Sequence, residues 1–244
     1  MRAPDPAFAD PRLAVLYDVL DNERRDLDAY VAIANEVAAR SVVDIGCGTG
    51  SLAVRLAALG LEVVGVDPAA ASLVVARAKP HAERVTWVEG DARALDDLGL
   101  SADLVVMTGN VAQVFVSDED WVRTLRSVAG CLRSGGWFVF ETRRPEVRDW
   151  EGWDVPPTTV SVADGSTVVF SREVTDVAPP LVTFESTTTL GGETVPSSST
   201  LRFRERQEVE RDLDAHGFEV VEVRDAADRP GKELVFLARR TAGG

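Results

Sequence analysis

Short apolar runs alternate with amphipathic segments over the first 140 residues of the chain. Five runs, at residues 42–45, 61–67, 84–88, 102–107 and 137–141, predict β-strands, and the strongly apolar fourth run is typical of a strand buried on both faces. Helical spacing occupies residues 51–59, 68–78 and 117–132, the last segment opening with a capping-box pattern at Ser117 and Asp120. Strict alternation of strands and helices favours a parallel sheet with helices on both faces.

The pattern differs at both ends of this region. Two helices, at residues 8–20 and 26–39, are predicted before the first strand. Residues 158–203 are rich in Ser, Thr and Val and are divided by Gly and Pro turns, which predicts three or four antiparallel strands. A helix at 205–215 and strands at 218–223 and 234–238 follow. The connection between these two strands is too short for a crossover helix, so we expect them to be antiparallel.

Composition narrows the classes of partner. The 244 residues are 45% hydrophobic and 27% charged, which suits one large globular domain. A formal net charge of −14 repels nucleic acid and anionic lipid at long range, so we expect neither partner. The chain has neither an apolar leader segment nor an apolar run of about 20 residues, and we expect a cytoplasmic location. Cys47 and Cys131 match no metal or disulfide pattern.

A glycine-rich turn at residues 46–50 follows the first strand and precedes a helix. Glycine permits positive φ and close approach of a ligand to the main chain, and the helix N-terminus supplies unpaired N–H groups. Ligands of open α/β sheets bind beyond the carboxyl ends of the strands. Three further strand ends carry polar or glycine residues, at Asp67, residues 90–91 and residues 108–110. We expect the four strand ends to form one site, the alternative being a purely structural turn.

A dinucleotide site requires G-x-G-x-x-G, whereas this turn is G-x-G-x-G with Ser51 after Gly50. Asp44, at the end of the first strand, suits an ammonium group better than a pyrophosphate. The site therefore favours a nucleoside that carries an amino acid over a dinucleotide.

Taken together, these motifs resemble those of the class I S-adenosylmethionine-dependent methyltransferases of the small-molecule type. Residues 42–50 are similar to motif I, 64–67 to the acidic loop, 89–92 to the adenine-binding loop, 104–113 to the fourth motif and 132–141 to the lead into strand five. The resemblance covers about residues 17–140 and the final three elements.

The resemblance and the pattern together predict an α/β fold: a Rossmann-like seven-stranded, mostly parallel sheet with helices on both faces, plus a small antiparallel β insertion after strand five. We expect a single domain over residues 1–244, with residues 1–40 as an N-terminal helical lid and residues 155–204 as the inserted β subdomain. The insertion is expected to cover the pocket or to pair subunits in a homodimer, with a purely structural sheet as the alternative.

The resemblance implies S-adenosyl-L-methionine as the cofactor and no metal. The resemblance further implies that Asp67 binds the ribose hydroxyls, that Asp91 binds the adenine amino group and that the Ala92 N–H donates to a ring nitrogen. A lid tyrosine is expected to reach the cofactor, with helix packing as the alternative for both tyrosines. The implied cofactor-binding residues are Tyr17, Tyr30, Asp44, Gly46, Cys47, Gly48, Gly50, Asp67, Pro68, Gly90, Asp91, Ala92, Thr108, Gly109, Asn110 and Gln113.

Several specialised chemistries lack support. The chain has no Asn/Asp-Pro-Pro-Tyr/Phe turn after strand four, no suitable nucleophilic cysteine and no His–carboxylate metal cluster. We expect in-line methyl transfer to an O or N atom of a small-molecule acceptor, in which alignment alone lowers the barrier and no catalytic residue is assigned. A cofactor-binding protein without methyl transfer, regulatory or of other chemistry, and a protein or RNA methyltransferase remain as alternatives.

Polar and aromatic residues around strand five and the insertion are candidates for the acceptor pocket: Glu141, Arg143, Arg144, Trp150 and Trp153. Arg143 and Arg144 are either contacts for an anionic acceptor or solvated loop charges.

Overall fold

The computed structural model describes residues 4–20, 24–162 and 166–242. In chain order, its strands are β1 (Ser41–Ile45), β2 (Glu62–Asp67), β3 (Val85–Glu89), β4 (Ala102–Met107), β5 (Leu132–Arg143), β6 (Val155–Ser161), β7 (Thr167–Ala178), β8 (Leu181–Leu190), β9 (Glu193–Arg202), β10 (Phe218–Asp225) and β11 (Glu233–Arg240). Its α-helices are α1 (Pro6–Ala9), α2 (Pro11–Leu20), α3 (Asp26–Glu36), α4 (Ser51–Ala58), α5 (Ala70–Arg77), α6 (Asp118–Cys131) and α7 (Arg206–Ala215).

The central sheet has seven strands in the order β10–β11–β5–β4–β1–β2–β3. Strands β1 to β5 pair in parallel, whereas β11 is antiparallel to both β5 and β10. The predicted mostly parallel α/β fold and the antiparallel final strand pair are therefore confirmed. Because β1 and β4 are adjacent while their chain connections run in opposite directions, the switch point lies between them, where ligands of such sheets bind.

Apolar side chains cover both faces of the central sheet. Helices α6 and α7 pack on one face, where Trp121, Leu125 and Leu213 meet Phe138 and Phe140. Helices α3 and α4 pack on the other face and share a second apolar cluster with β1, β2 and β4. Complete burial of a Leu or Phe side chain contributes about 1.5–3 kcal/mol, so these two layers fix the strand ends that carry the site.

The insertion after strand five is a separate sheet with the order β6–β7–β8–β9, antiparallel throughout. This confirms the predicted antiparallel insertion of three or four strands. Ser and Thr hydroxyls of neighbouring strands form hydrogen bonds with one another, for example Ser171 with Thr187 at 2.7 Å and Thr183 with Thr200 at 3.0 Å.

The helix boundaries differ locally from the predicted ones. The predicted helix 8–20 is two helices that meet at Asp10, which is extended because Pro11 disfavours a helical conformation in the residue before it. Helix α3 ends at Glu36, before the positive-φ residue Ala38. Pro68 was predicted at the first turn of a helix, but α5 begins at Ala70.

Half of the predicted capping box of α6 forms: the Ser117 hydroxyl accepts a hydrogen bond from the Asp120 N–H at 3.1 Å, whereas the Asp120 carboxylate accepts from the Ser117 hydroxyl and not from its N–H. Across the described residues, every helix is too short or too polar to cross a membrane.

Candidate active site

A cavity of about 270 Å³ opens at the carboxyl ends of β1 to β4. One wall is formed by the residues that follow these strands, and the other by the N-terminal helices, residues 114–116, α6 and β9. The predicted site residues that line it are Tyr17, Gly46, Cys47, Gly48, Asp67, Pro68, Gly90, Asp91, Ala92, Thr108 and Gly109. The others, which lie behind the walls, are Tyr30, Asp44, Gly50, Asn110 and Gln113.

The glycine turn is attached to β2 by main-chain hydrogen bonds. The N–H groups of Gly46 and Cys47 donate to the Val66 carbonyl at 2.8 and 3.1 Å. At Gly48, with φ of +53°, an added Cβ would meet nothing within 4 Å, so the main chain is open to the cavity. At Gly50, with φ of +76°, an added Cβ would lie 2.4 Å from the Trp87 ring. Gly48 therefore allows close approach of a ligand, whereas Gly50 allows the turn to pack.

Asp67 is buried at the end of β2 and is held by two backbone donors. Its Oδ2 accepts from the Gly48 N–H at 2.7 Å and its Oδ1 from the Ala69 N–H at 2.8 Å. Burial raises the pKa of Asp67, while these two hydrogen bonds oppose that rise. A carboxylate has about four acceptor sites, so each oxygen keeps one for a ligand hydroxyl.

Asp44 lies beneath the glycine turn with 1% of its surface exposed. Neither of its carboxylate oxygens has a hydrogen-bond partner among the described residues. Burial, reinforced by the neighbouring charge of Asp67, raises the pKa of Asp44 to about 7, and Arg24 acts in the opposite direction. A buried carboxylate without a partner is costly, and a cationic group at the turn relieves that cost. The buried acceptor beneath the turn therefore fits a ligand that carries an ammonium group.

Asp91, after β3, is bound to its neighbour Arg93. Its Oδ1 accepts from the Arg93 N–H at 2.7 Å, and its Oδ2 accepts from the guanidinium at 2.5 and 2.8 Å. Partial burial would raise the pKa of Asp91, but the hydrogen bonds from Arg93 outweigh it and hold the pKa below its usual range. The arginine therefore keeps Asp91 ionised at the rim of the cavity, which both residues line.

The turn after β4 is fixed from behind by a buried carboxylate. Glu141 Oε1 accepts from the N–H groups of Gly109 and Asn110 at 2.7 and 3.2 Å, and its Oε2 accepts from the Tyr30 hydroxyl at 2.5 Å. Burial raises the pKa of Glu141 and also that of Tyr30, where the charge of Glu141 adds to the effect. Tyr30 thus supports the turn through Glu141, which corresponds to the packing alternative, and Tyr17 is the tyrosine that lines the cavity.

A second group of buried polar residues connects this turn to the insertion. Asn110 Nδ2 donates to Glu233 Oε1 at 2.8 Å. Arg143 Nη1 donates to Gln113 Oε1 at 2.9 Å, and Gln113 Nε2 donates to the Arg202 carbonyl at 3.3 Å. Asn110 and Gln113 therefore act as structural links behind the wall of the cavity.

The N-terminal helices are held across the glycine turn. Asp18 of α2 accepts from the Thr49 hydroxyl at 2.6 Å and pairs with Lys79 at 2.7 Å. The Phe8 carbonyl accepts from the Ser72 hydroxyl at 3.0 Å. Further residues that were not predicted from the sequence also line the cavity, namely Asp5, Phe8, Arg24, Thr49, Ala69, Ser72, Arg93, Val111 and Phe115. Thr49 alone had a signal, since it lies inside the glycine turn.

Comparisons with known proteins agree with this geometry. Residues 42–136 match the profile of a family described as a methyltransferase domain. The cypemycin N-terminal methyltransferase of a Streptomyces species is 30% identical over 158 residues, covering 64% of this chain and 64% of that protein. The matched segments span less than two thirds of the length of the first curated relatives.

Two solved structures share the fold over nearly the whole chain. An amino pentose methyltransferase from Micromonospora echinaspora, with S-adenosylmethionine bound, is 22% identical with a TM-score of 0.71, covering 93% of this chain and 97% of that one. A sugar N-methyltransferase from Streptoalloteichus sp ATCC 53650 is 21% identical with a TM-score of 0.74, covering 93% of each chain. Residues 42–136 therefore resemble a methyltransferase domain in sequence, and the chain as a whole has the fold of these methyltransferases.

Proposed function

We propose that this chain transfers a methyl group from S-adenosylmethionine to an oxygen or nitrogen atom of a small-molecule acceptor. One observation carries the proposal: the wall made by the glycine turn and the apolar wall made by Phe8, Val114, Phe115 and Leu201 enclose the same cavity. An acceptor on the second wall lies next to a cofactor on the first. The N-terminal helices complete this enclosure, which supports residues 1–40 as a lid.

The strand ends suggest a role for each polar group toward the cofactor. The free acceptor sites of Asp67 suit the ribose hydroxyls, and the unpartnered Asp44 suits the ammonium group. Ala92 is the first residue of a short 3-10 turn, so its N–H has no partner within that turn and is available to an adenine nitrogen. Gly48 provides the open main chain against which the cofactor lies.

The sulfonium of the cofactor supplies a methyl group that is already activated, so the protein has to position the acceptor and exclude water. Positioning a reactant can lower a barrier by up to about 7–11 kcal/mol. The turn at residues 108–110, held by Glu141, is a rigid wall for this purpose, and the apolar wall displaces water. We assign no general base.

Nitrogen is the favoured acceptor atom within this proposal. The names of the relatives describe an N-terminal methyltransferase and a sugar N-methyltransferase, which supports an amine acceptor for this chain. Pairing of subunits through the insertion stays a prediction, which light scattering of the purified protein tests directly.

Calorimetric titration with S-adenosylmethionine and with S-adenosylhomocysteine, followed by incubation of a metabolite extract with methyl-labelled cofactor, tests the proposal. We expect both nucleosides to bind and a labelled small molecule to form. Binding without a labelled product favours a cofactor-binding protein of another function, and label on protein or RNA favours that substrate class. Failure of both nucleosides to bind contradicts every one of these functions.

A further inference from the structure

The four-stranded insertion has one face turned toward the rest of the chain, which we call the inner face. On β7 it carries Val168, Phe170, Arg172 and Val174, and the paired residues of β8 and β9 continue each position across the sheet. Because side chains of a strand alternate between faces, these positions share one side.

Two apolar clusters occupy the ends of the inner face. At one end Val168 packs against Leu13 and Leu16 of α2. At the other end Val174 packs against the cluster of Trp150 and Phe203. Between the two clusters, the middle of the inner face carries Arg172 and the polar residues that are in register with it.

Arg172 is half-buried at this central position. Its guanidinium lies 5.3 Å from the ring centre of Phe170 and 5.2 Å from that of Phe184. Across the sheet it is in register with Ser186 and then Ser197, so its row is otherwise uncharged. Among the described residues, no carboxylate pairs with Arg172 and no acceptor takes a hydrogen bond from it, and its Nε is buried without a partner. Burial lowers the pKa of Arg172 without any opposing charge.

Neighbouring arginines of comparable burial have partners at their Nη atoms, although the Nε atoms of Arg202 and Arg204 are also buried without a partner among the described residues. Arg143 donates to Gln113, and Arg202 pairs with Asp118 and Glu208 at 2.6 and 2.9 Å. Arg204 donates to main-chain carbonyls. An unpaired cation held partly out of water lowers stability, so Arg172 is the exception that calls for an anionic partner from outside the chain.

The inner face meets the cavity of the active site at β9, where α1 also packs and the Ala7 N–H donates to the Ser197 hydroxyl. Leu201, on the inner face of β9, lines the cavity, and so does Asp5, which accepts a hydrogen bond from Ser199 of the same strand. Arg172 is two strands away from β9, which is about 10 Å across the sheet, and its row reaches β9 at Ser197. Ser199 and Leu201 are two and four residues further along β9, so the arginine lies roughly 12–17 Å from this wall of the cavity.

We propose that Arg172 binds an anionic group of the methyl acceptor, a carboxylate or a phosphate, with Phe170 and Phe184 flanking the bound group. This inference rests on the proposed function. The acceptor then extends over roughly 12–17 Å, from its methylated atom beside the cofactor to its anion at Arg172. Guanidinium suits this role because it forms paired, charge-assisted hydrogen bonds with carboxylate and phosphate oxygens. Arg143 and Arg144, the candidates from the sequence, are instead engaged with residues of the chain itself.

Fragment binding to the protein saturated with S-adenosylhomocysteine tests this site. Dissociation constants are measured by ligand-observed NMR for phenylacetate, phenyl phosphate and the neutral 2-phenylethanol. We expect at least one anion to bind about tenfold more tightly than the alcohol, and Arg172→Gln to remove that difference. The tighter of the two anions identifies the group. Arg206→Gln, which removes an exposed charge from α7, is the matched control and is expected to change nothing.

Thermal unfolding separates a binding role from a structural one. Among the described residues Arg172 has no ion pair and no hydrogen-bond partner, and its contacts with Phe170 and Phe184 are worth only about 0.5–1 kcal/mol each, so Arg172→Gln should change the melting temperature of the free protein little. A lower melting temperature together with unchanged anion affinity overturns the proposal, and so does equal affinity for the anions and the alcohol. Failure of S-adenosylhomocysteine to bind contradicts the proposed function, whereas its binding without anion selectivity contradicts this inference alone.

Discussion

Asp44 makes the free protein less stable at neutral and alkaline pH than at mildly acidic pH. Its carboxyl is buried, has no hydrogen-bond partner among the described residues, and has a pKa of about 7. In the unfolded chain the same group titrates near 3.8. The folded state therefore holds a proton that the unfolded state has already lost between these two pH values, so stability falls as pH rises across this window.

The size of the effect follows from the shift in pKa. Each pH unit inside the window changes the free energy of unfolding by about 1.4 kcal/mol. Between pH 5 and pH 8, only the two pH units from 5 to the pKa of about 7 lie inside the window. On going from pH 5 to pH 8, the titration of Asp44 should therefore lower the free energy of unfolding by about 3 kcal/mol.

Urea unfolding of the wild type and of Asp44→Asn at pH 5, 6, 7 and 8 measures this contribution. The amide has its own burial cost, but that cost is independent of pH and cancels when the effect of substitution at pH 8 is compared with that at pH 5. We expect this difference to be about 3 kcal/mol in favour of the variant at pH 8.

Asp103→Asn is the matched control. Asp103 accepts hydrogen bonds from Arg133 and from the N–H groups of Arg40 and Ser41, and these outweigh its partial burial and lower its pKa to about 2. Its contribution to stability is present above its usual pKa and is lost only as pH falls toward 2, so this variant should be less stable by a constant amount from pH 5 to 8. Parallel stability curves for the wild type and Asp44→Asn would refute the buried, ionisable Asp44 on which the ammonium site depends.

Three further substitutions test separate parts of the site. Gly50→Ala should lower the free energy of unfolding by about 3 kcal/mol in urea, because its Cβ would lie 2.4 Å from Trp87 at a positive φ; wild-type stability would contradict this packing. Asp18→Asn should speed dissociation of S-adenosylhomocysteine about fivefold in stopped-flow measurements, because it weakens the contacts of α2 with Thr49 and Lys79. An unchanged rate would show that these contacts do not control release of the ligand. Tyr30→Phe should cost about 1–3 kcal/mol of stability at pH 8, since Glu141 loses a donor, and an effect near zero would show that this hydrogen bond is weak.

The sheet was predictable because its signals are local. Each parallel strand is a short apolar run that ends in an acid, a glycine or a polar turn, and burial on both faces makes such runs distinct. The break between α1 and α2 was also readable in principle, from Pro11. The start of α5 was not, because Asp67 accepts from the Ala69 N–H and thereby places the helix start after Pro68.

The site likewise has a part that local motifs predict and a part that only tertiary packing creates. The residues after β1, β2 and β3 line the cavity as their motifs predict, since the strand direction alone places them there. The parts contributed by the N-terminal helices and β9 depend on tertiary packing that no periodicity records. Tyr30 and Tyr17 both lie on amphipathic helices, and only the fold shows that one supports Glu141 while the other faces the cavity. Arg172 gave no sequence signal, because its lack of a partner is visible only in three dimensions.

The fate of methyl-labelled S-adenosylmethionine in a metabolite extract, compared between the wild type and Gly48→Ala, tests the central claim most directly. An added Cβ at Gly48 meets no atom of the protein within 4 Å and projects from a turn that lines the cavity. Its φ of +53° adds a strain of about 1–2 kcal/mol, which a domain of this size tolerates, so the variant should fold and yet exclude the cofactor. We predict a labelled small molecule with the wild type and almost none with the variant. Equal labelling by the two proteins, or no labelled product with the wild type, would contradict a methyltransferase whose cofactor lies against this glycine turn.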